Sequence, residues 1–439
     1  MNFAKFFELA KAKGIEESQL SFSKSSSLSM SMFRHEVENY SVNDSQSIIA
    51  AGILDGKFGS CRTEKLDKDS FPFLIDNIIL SAKLNEKEEV ADIFPGSEKY
   101  HKKNVYNPAL ANIPASEKLA LLQEMENAIY AADKRVCDVD ISYAERESES
   151  GFYNSYGLKL KQKSNYFYIG AEVVMREGDV TKTSYAVALD SDLSKFDKEA
   201  FVKEAVETAA KKFGADSIAS KKYPTVIDRE VMASLIDYFL SSAIADEVQR
   251  HSSMLEGKLG QKIASSKLTI EEKPLTKNVF FSYFDGEGVA TQNKVIVKNG
   301  VLKQYFYNRE TAKKDGVEST GNGYWGGGKI DTTYGNVFVK PGKATFEELI
   351  ADIEDGVYIT DVMGLGTGMN STSGDFSCQA EGFHIVNGKV AEPLTLITLS
   401  GNLLKMLKDL KGFDKNVKLT LGAISVANAR IKSMNIGGK

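Results

Sequence analysis

The first half of the chain switches its apolar period from about 3.6 residues to 2 and back, and does so twice. It opens on MNFAKFFELAKAKG, where Phe3, Phe6, Phe7 and Ala10 recur at helical spacing, which predicts a helix over residues 2–12. Alternating stretches follow, SQLSFSKSSSLSMSMF and SQSIIAAGILDGKFGSC, and then a second helical stretch, PFLIDNIILSAKL. A second pass repeats the order. SEKLALLQEMENAIYAADK predicts a helix; VCDVDISYAERESESGFYNS, LKLKQKSNYFYIGAEVVMR and TKTSYAVAL predict strands; KEAFVKEAVETAAKKFG predicts a closing helix. Helix–strands–helix written twice implies an α+β domain, either as two sheets or as one merged sheet with helices packed on a face. Between the passes lies ADIFPGSEKYHKKNVYNPALANIPASEK, a connector with prolines at Pro95, Pro108 and Pro114.

The texture changes after Gly214. One long helical pattern, DREVMASLIDYFLSSAIADEVQR, precedes short β-type segments such as NVFFSYF, YGNVFVK and GVYITDVMG, with helical breaks at ATFEELIADIED and GNLLKMLKDLKG. This predicts a sheet-rich C-terminal domain with a few helices. The expected division is 1–218 for the N-terminal domain and 219–439 for the C-terminal one. Within the second, NKVIVKNGVLKQYFYN reads as two strands joined by Asn299-Gly300, a strong hairpin signal.

Composition agrees with two folded domains and excludes several functions. The chain has 439 residues, 42% of them hydrophobic and 26% charged, too many for one ordinary core. Net charge is −5 with both signs interspersed, so no basic footprint marks a nucleic-acid partner. Three widely separated cysteines, Cys61, Cys137 and Cys378, give neither a disulfide framework nor a metal pair, which suits a reducing cytosol. No signal-peptide core and no run of about 18 apolar residues is present, so a cytoplasmic protein without a membrane segment is expected.

Candidate chemistry is sparse. The four histidines, His35, His101, His251 and His384, include no HExxH pair that would converge on one ion. No GxSxG elbow occurs. Cys378 has His384 close in sequence, but a buried, inert thiol is the better reading. GLGTGMNSTSGD has glycines at 364, 366 and 368, which is not the phosphate-cradling spacing. DGEG places Asp285 and Glu287 between glycines; a metal would want further oxygen or imidazole ligands nearby, so a turn leading into the hairpin is expected.

Several ordered strings resemble the TldD/PmbA family: SMLEGKLGQKIASSKLTIEEKP, FFSYFDGEGVATQNKVIVKNGVLKQYFYN, AKKDGVESTGNG, VMGLGTGMNSTSGDFSCQAEGFHIVNGKV, PLTLITLSGNLLKML and IKSMNIGGK. The resemblance covers most of the chain and is strongest from about Tyr223 onward. The family, long labelled "modulator of DNA gyrase", implies a cytoplasmic protease assembly that degrades unfolded peptides, in which a zinc-bearing TldD subunit pairs with a TldE (PmbA) subunit. TldD-like members carry HExxxH on the helix before the hairpin and a cysteine ligand near the C-terminus. Counting back without gaps from LEGKLG, that motif falls on IDYFLS (residues 236–241). Ile236 and Ser241 stand where the histidines belong and Asp237 where the glutamate belongs, and no cysteine follows Cys378. Isoleucine cannot ligate zinc. The chain therefore resembles the TldE/PmbA branch, which implies no catalytic or metal residues here and zinc on a TldD-like partner, in a heterodimer or with this chain as a homodimer. The glycine-rich turns STGNGYWGGG (residues 319–328) and STSGDFS (residues 371–377) are the expected chamber- or substrate-facing elements, with Ser319, Thr320, Asn322, Trp325, Asp375 and Ser377 as candidates and Trp325 as a possible interface anchor. Two alternatives remain: a self-sufficient homodimeric metallopeptidase using a site among Asp285, Glu287, Asp375 and His384, and a non-proteolytic binding or adaptor protein.

Overall fold

The computed structural model describes residues 3–67, 69–86, 92–326 and 329–439. Met1, Asn2, Ala91, Gly327 and Gly328, which fall within stretches discussed above, lie outside the described residues. The chain forms two compact units.

The first unit runs α1 (Ala4–Ala12), β1 (Glu17–Phe33), β2 (Glu36–Leu54), β3 (Lys57–Thr63), α2 (Ser70–Leu84), then α3 (Pro108–Ala111), α4 (Ala115–Ala132), β4 (Val136–Asn154), β5 (Lys159–Glu177), β6 (Val180–Asp190) and α5 (Lys198–Ala210). The two passes merge into one six-stranded sheet in the order β3-β2-β1-β4-β5-β6. Their seam is β1 against β4, antiparallel and continuous from Gln19 opposite Asn154 to Phe33 opposite Asp140. Period-2 alternation then separates the faces. On one face, Leu20, Ile48 and Ala50 are buried with Phe6, Leu74, Ile75 and Ile78 of α1 and α2. Farther along that face, α4 packs on β4 and β1, where Met30, Met32, Ile141 and Tyr143 are buried. The other face of β1 is a row of serines, of which Ser25 bonds Ser45 and Ser29 bonds Ser41 on β2, each at 2.8 Å. Arg34 and His35 turn the β1–β2 hairpin with φ of 51° and 65°. The His35 N–H donates to Oε1 of Glu126, a fully buried carboxylate on α4, at 2.8 Å, which ties the hairpin tip down.

The division differs from a single cut at 218/219. The first unit ends near Ala209 and also takes in residues 277–291 and 323–331. Hydrogen bonding explains the first excursion. The Tyr283 hydroxyl donates to the Lys161 carbonyl at 2.7 Å and accepts the Lys161 N–H at 2.9 Å. Gln162 Nε2 donates to the Phe281 carbonyl at 2.8 Å, and the Tyr100 hydroxyl to the Gly288 carbonyl at 2.7 Å. Gly288 has φ +82° and lies against Phe152, whose ring would be 2.5 Å from an added Cβ.

The second unit holds two six-stranded sheets. One runs, in spatial order, Lys389–Asn402, Asp375–Val386, Asp355–Met363, Lys221–Ile227, Ala429–Gly437 and Leu410–Phe413. The other runs Val301–Leu302, Lys294–Lys298, Ile270–Glu272, Val337–Val339, Ile424–Val426 and Lys418–Leu419. The hairpin forms at Asn299-Gly300, with φ of 49° and 81°, although its second strand is only two residues long. The long helical pattern breaks in two: α6 (Arg229–Ser241), capped by Asp228, and a short helix Ala245–Gln249. Ile244 is extended at the break, where the Phe306 N–H bonds the Ala243 carbonyl and the Ala245 N–H bonds the Phe306 carbonyl, so strand-type pairing outcompetes helix continuation.

Gly59 on β3 is needed for the close approach of α2, because a Cβ there would sit 2.1 Å from the Ile78 carbonyl oxygen. Gly59→Ala is expected to destabilise the chain by about 1–3 kcal/mol, as overpacking does, and urea unfolding measures it.

Candidate functional site

The segment IDYFLS, which the family resemblance sets at the zinc-motif positions, lies on α6. Its apolar face, Val231, Met232, Leu235, Ile236, Phe239 and Leu240, is buried in the core of the second unit. Ile236 is wholly inaccessible, so its position is a packing position. Asp237 accepts the Tyr334 hydroxyl at 2.7 Å, and burial, followed by the charge of Asp237, pushes the pKa of Tyr334 far up. The Ser241 hydroxyl turns back onto the Tyr238 carbonyl at 2.8 Å. An apolar side chain in the core, a carboxylate held by a phenol and a hydroxyl bonded to its own helix do not fit a zinc ion. Among the described residues no three His, Cys, Asp or Glu side chains cluster as metal ligands.

The DGEG loop is an organised turn. Asp285 Oδ1 accepts the N–H groups of Glu287 and Val289, both at 2.9 Å, and Oδ2 accepts the Gly323 N–H at 2.8 Å. Both carboxylate oxygens are thus engaged with backbone. Glu287 is buried beside Gly323, where an added Cβ would lie 2.4 Å from Oε2.

The turn beginning at Ser319 splits between outward and inward groups. Ser319 is half-buried and donates to the Tyr307 carbonyl at 3.2 Å. Thr320 and Asn322 face inward, which differs from the chamber-facing role expected of them. They complete a network that sequence reading missed. Lys294 and Glu272, with side chains 4% and 3% exposed, form an ion pair within it. Asn322 Oδ1 accepts from Lys294 Nζ at 2.9 Å and from the Thr320 hydroxyl at 2.7 Å, while its Nδ2 donates to Glu272 Oε1 at 2.9 Å. The Gly335 N–H adds a third donor to Glu272. Alternation of IEE and KVIVK carried no sign that Glu272 and Lys294 point inward. Trp325 is half-buried on the strand Gly323–Gly326, its indole N–H shielded from solvent without an acceptor among the described residues, and the neighbouring Tyr324 is the exposed aromatic.

Asp375 and Ser377 are exposed at the start of the strand Asp375–Val386. Asp375 accepts Asn402 Nδ2 at 3.0 Å and the Ser373 hydroxyl at 2.8 Å, and these bonds lower its pKa. Cys378, next along the strand, is 4% exposed, and burial raises its thiol pKa, so it is a poor nucleophile. His384 stands apart from Cys378, in a charge row across four adjacent strands. Its Nδ1 meets Glu392 at 2.5 Å and its Nε2 meets Asp355 at 2.7 Å, and Asp355 in turn pairs with Lys221 at 2.6 Å. Burial works against protonation of His384, but the two carboxylates outweigh it and raise its pKa above 6.5.

With this geometry in view, two family models match the chain. The PmbA/TldA metallopeptidase C-terminal domain covers residues 220–438, and the central domain of the same family covers residues 108–213. The chain belongs to the PmbA/TldD family. A metalloprotease of Methanothermobacter thermautotrophicus is 33% identical over 320 residues, 71% of this chain and 69% of that protein. Metalloprotease PmbA of Escherichia coli O157:H7 is 25% identical over 98% of this chain and 94% of its own length. A Thermotoga maritima structure described as a modulator of DNA gyrase superposes with a TM-score of 0.91 at 27% identity, covering 99% of each chain. The structure of TldE from Thermococcus kodakarensis gives the same TM-score at 23% identity, over 99% of this chain and all of that one, and shares the fold.

Two predictions follow from the charged groups. Lys294→Met leaves Glu272 as an uncompensated buried charge and is expected to cost about 3–5 kcal/mol, whereas adding Glu272→Leu should recover much of the loss in a double-mutant cycle read by urea unfolding. His384 has a raised folded-state pKa, so its stabilisation is complete below about pH 6.5 and is lost as pH rises through the folded value. Asp355 and Glu392 are lowered from 3.8 and 4.5, so their contribution is lost as pH falls below those values. The thermal stability advantage of the natural chain over His384→Gln should therefore peak between about pH 4.5 and 6.5 and shrink on either side.

Proposed function

We propose that this chain is the non-catalytic, TldE/PmbA-like subunit of a cytoplasmic metalloprotease that degrades unfolded peptides, with the zinc and its activated water supplied by a TldD-like partner. One observation carries the reading: α6 presents Ile236, Asp237 and Ser241 at the HExxxH positions, and Ile236 is an interior residue of the core. Restoring a histidine there would require rebuilding the packing around the helix. The PmbA/TldD metallopeptidase membership supports the reaction class, metal-dependent peptide-bond hydrolysis. Of the six turn residues, Asp375 and Ser377 are exposed and are the positions assigned to face peptide, with Ser319 beside them in role, half-buried. Trp325 and the exposed Tyr324 are assigned to partner contact. Among the described residues no helix is long and apolar enough to cross a membrane.

The test combines metal analysis with peptidase assays. The chain purified alone should carry no stoichiometric zinc and leave an unstructured peptide intact. Adding the TldD-like subunit should give hydrolysis that a chelator abolishes. About one zinc per chain with chelator-sensitive hydrolysis by this chain alone would establish a homodimeric metallopeptidase instead. Turnover by the TldD-like subunit that is indifferent to this chain would establish an adaptor.

A further inference from the structure

β3 pairs only with residues 48–54 of β2, which leaves residues 36–47 with no strand or bridge on their outer side among the described residues. Nearly all of these residues are exposed. The stretch EVENYSVNDSQS holds neither proline nor lysine, two of the usual means of blunting a sheet edge. Its side chains continue a buried row outward. Val42 is opposite Leu28, Tyr40 opposite Met30 and Val37 opposite Met32. Met30 and Met32 are buried, while Val42, Tyr40 and Val37 are 58%, 55% and 46% exposed. The edge is held in place, since its first residue follows the hairpin tip that Glu126 anchors. Its charges all have one sign. Glu36, Glu38 and Asp44 are exposed and enter no ion pair among the described residues, and no cation lies between positions 36 and 47.

We propose that this outer edge of β2 is a docking strand for an extended, positively charged segment of unfolded polypeptide, which adds to the sheet as a seventh strand. Main-chain groups on the edge satisfy the incoming backbone whatever its sequence. Val37, Tyr40 and Val42 receive apolar side chains on one face, and the three carboxylates select lysine or arginine at neighbouring positions. Charge decides against a second copy of the chain. An antiparallel self-pairing centred on Ser41 would set Tyr40 against Val42, but it would also oppose Glu38 of each copy to Asp44 of the other. The inference deepens the proposed function by naming a substrate class and a capture site. It rests on that reading only in calling the captured chain a substrate, because capture is measurable on this chain without a protease partner.

The experiment is fluorescence anisotropy at low ionic strength with the full chain and labelled peptides matched in length to the edge. One peptide alternates lysine and valine, one alternates glutamate and valine, and one is the lysine peptide with N-methyl groups on alternate backbone nitrogens. The lysine peptide should bind, the glutamate peptide should not, and N-methylation should abolish binding while leaving the charge intact. The triple variant Glu36→Lys, Glu38→Lys, Asp44→Lys should bind the lysine peptide about tenfold or more weakly and gain affinity for the glutamate peptide. Equal binding of the N-methylated peptide would overturn strand addition, a comparison that needs no variant to fold. Unchanged lysine-peptide affinity in a triple variant with native circular dichroism would overturn the assigned edge. A dimer of the natural chain in light scattering that the triple variant alters would show that a second copy occupies the edge, and the proposal would fall.

Discussion

The functional reading depends on the burial of one helix face. α6 places Val231, Met232, Leu235, Ile236, Phe239 and Leu240 in the core of the second unit. At about 1.5–3 kcal/mol for each large apolar side chain withdrawn from water, this face is among the main sources of that unit's stability. A hydrolytic zinc site asks the opposite of a helix. It needs imidazoles and a carboxylate turned to a wet cavity, with an open coordination position for water. The two demands meet at Ile236, and one position cannot satisfy both. In this chain packing has taken Ile236, and the polar neighbours Asp237 and Ser241 are engaged by Tyr334 and by the helix backbone.

The first unit is organised by a different interaction, the β1–β4 seam. Joining two helix–strands–helix passes through their first strands gives one continuous sheet and puts the covering helices on one face. The opposite face of β1 is then left to serines. Alternation of Leu28, Met30 and Met32 with Ser27, Ser29 and Ser31 is the sequence record of that arrangement, and it made strands in so serine-rich a stretch readable. The helices of both passes were equally legible, because each has a 3.6-residue apolar stripe and a partner to bury it.

What could not be read were the features set by distant parts of the chain. Residues 277–291 belong with the first unit because Tyr283 bonds Lys161 and Gly288 fits against Phe152, pairings separated by more than a hundred positions. No local period encodes them. Glu272 and Lys294 look like ordinary exposed charges of two short strands, and their burial follows from Asn322 arriving to complete the hydrogen bonding. The GNG of that turn read as a chamber- or substrate-facing element, yet Asn322 is one of its most buried side chains. The break in the helical pattern after Ser241 had the same origin, a pairing with Phe306 that the helix periodicity of DREVMASLIDYFLSSAIADEVQR conceals.

Under the proposed function this chain contributes recognition, and the physics of unfolded chains constrains how. A disordered peptide offers little fixed shape, so a site that recognises many such peptides must use what they share, the backbone and net charge. An open sheet edge supplies backbone recognition directly, but it is a hazard when flat, long and apolar, because it templates self-association. Three carboxylates and no cation along residues 36–47 reconcile the two requirements. They oppose pairing of the edge with itself, and they leave its main-chain groups available to a chain of the other sign. The serine face beside it adds hydroxyls, of which Ser25 pairs with Ser45 and Ser29 with Ser41 across β1 and β2, and it offers little apolar surface to hold a released chain. Tyr40 and Val42 mark where side-chain contact would strengthen binding, continuing a row whose inner members, Met30 and Met32, are fixed by α4. The edge is therefore anchored at its hairpin tip, where it must align a strand, and polar where it must let one go.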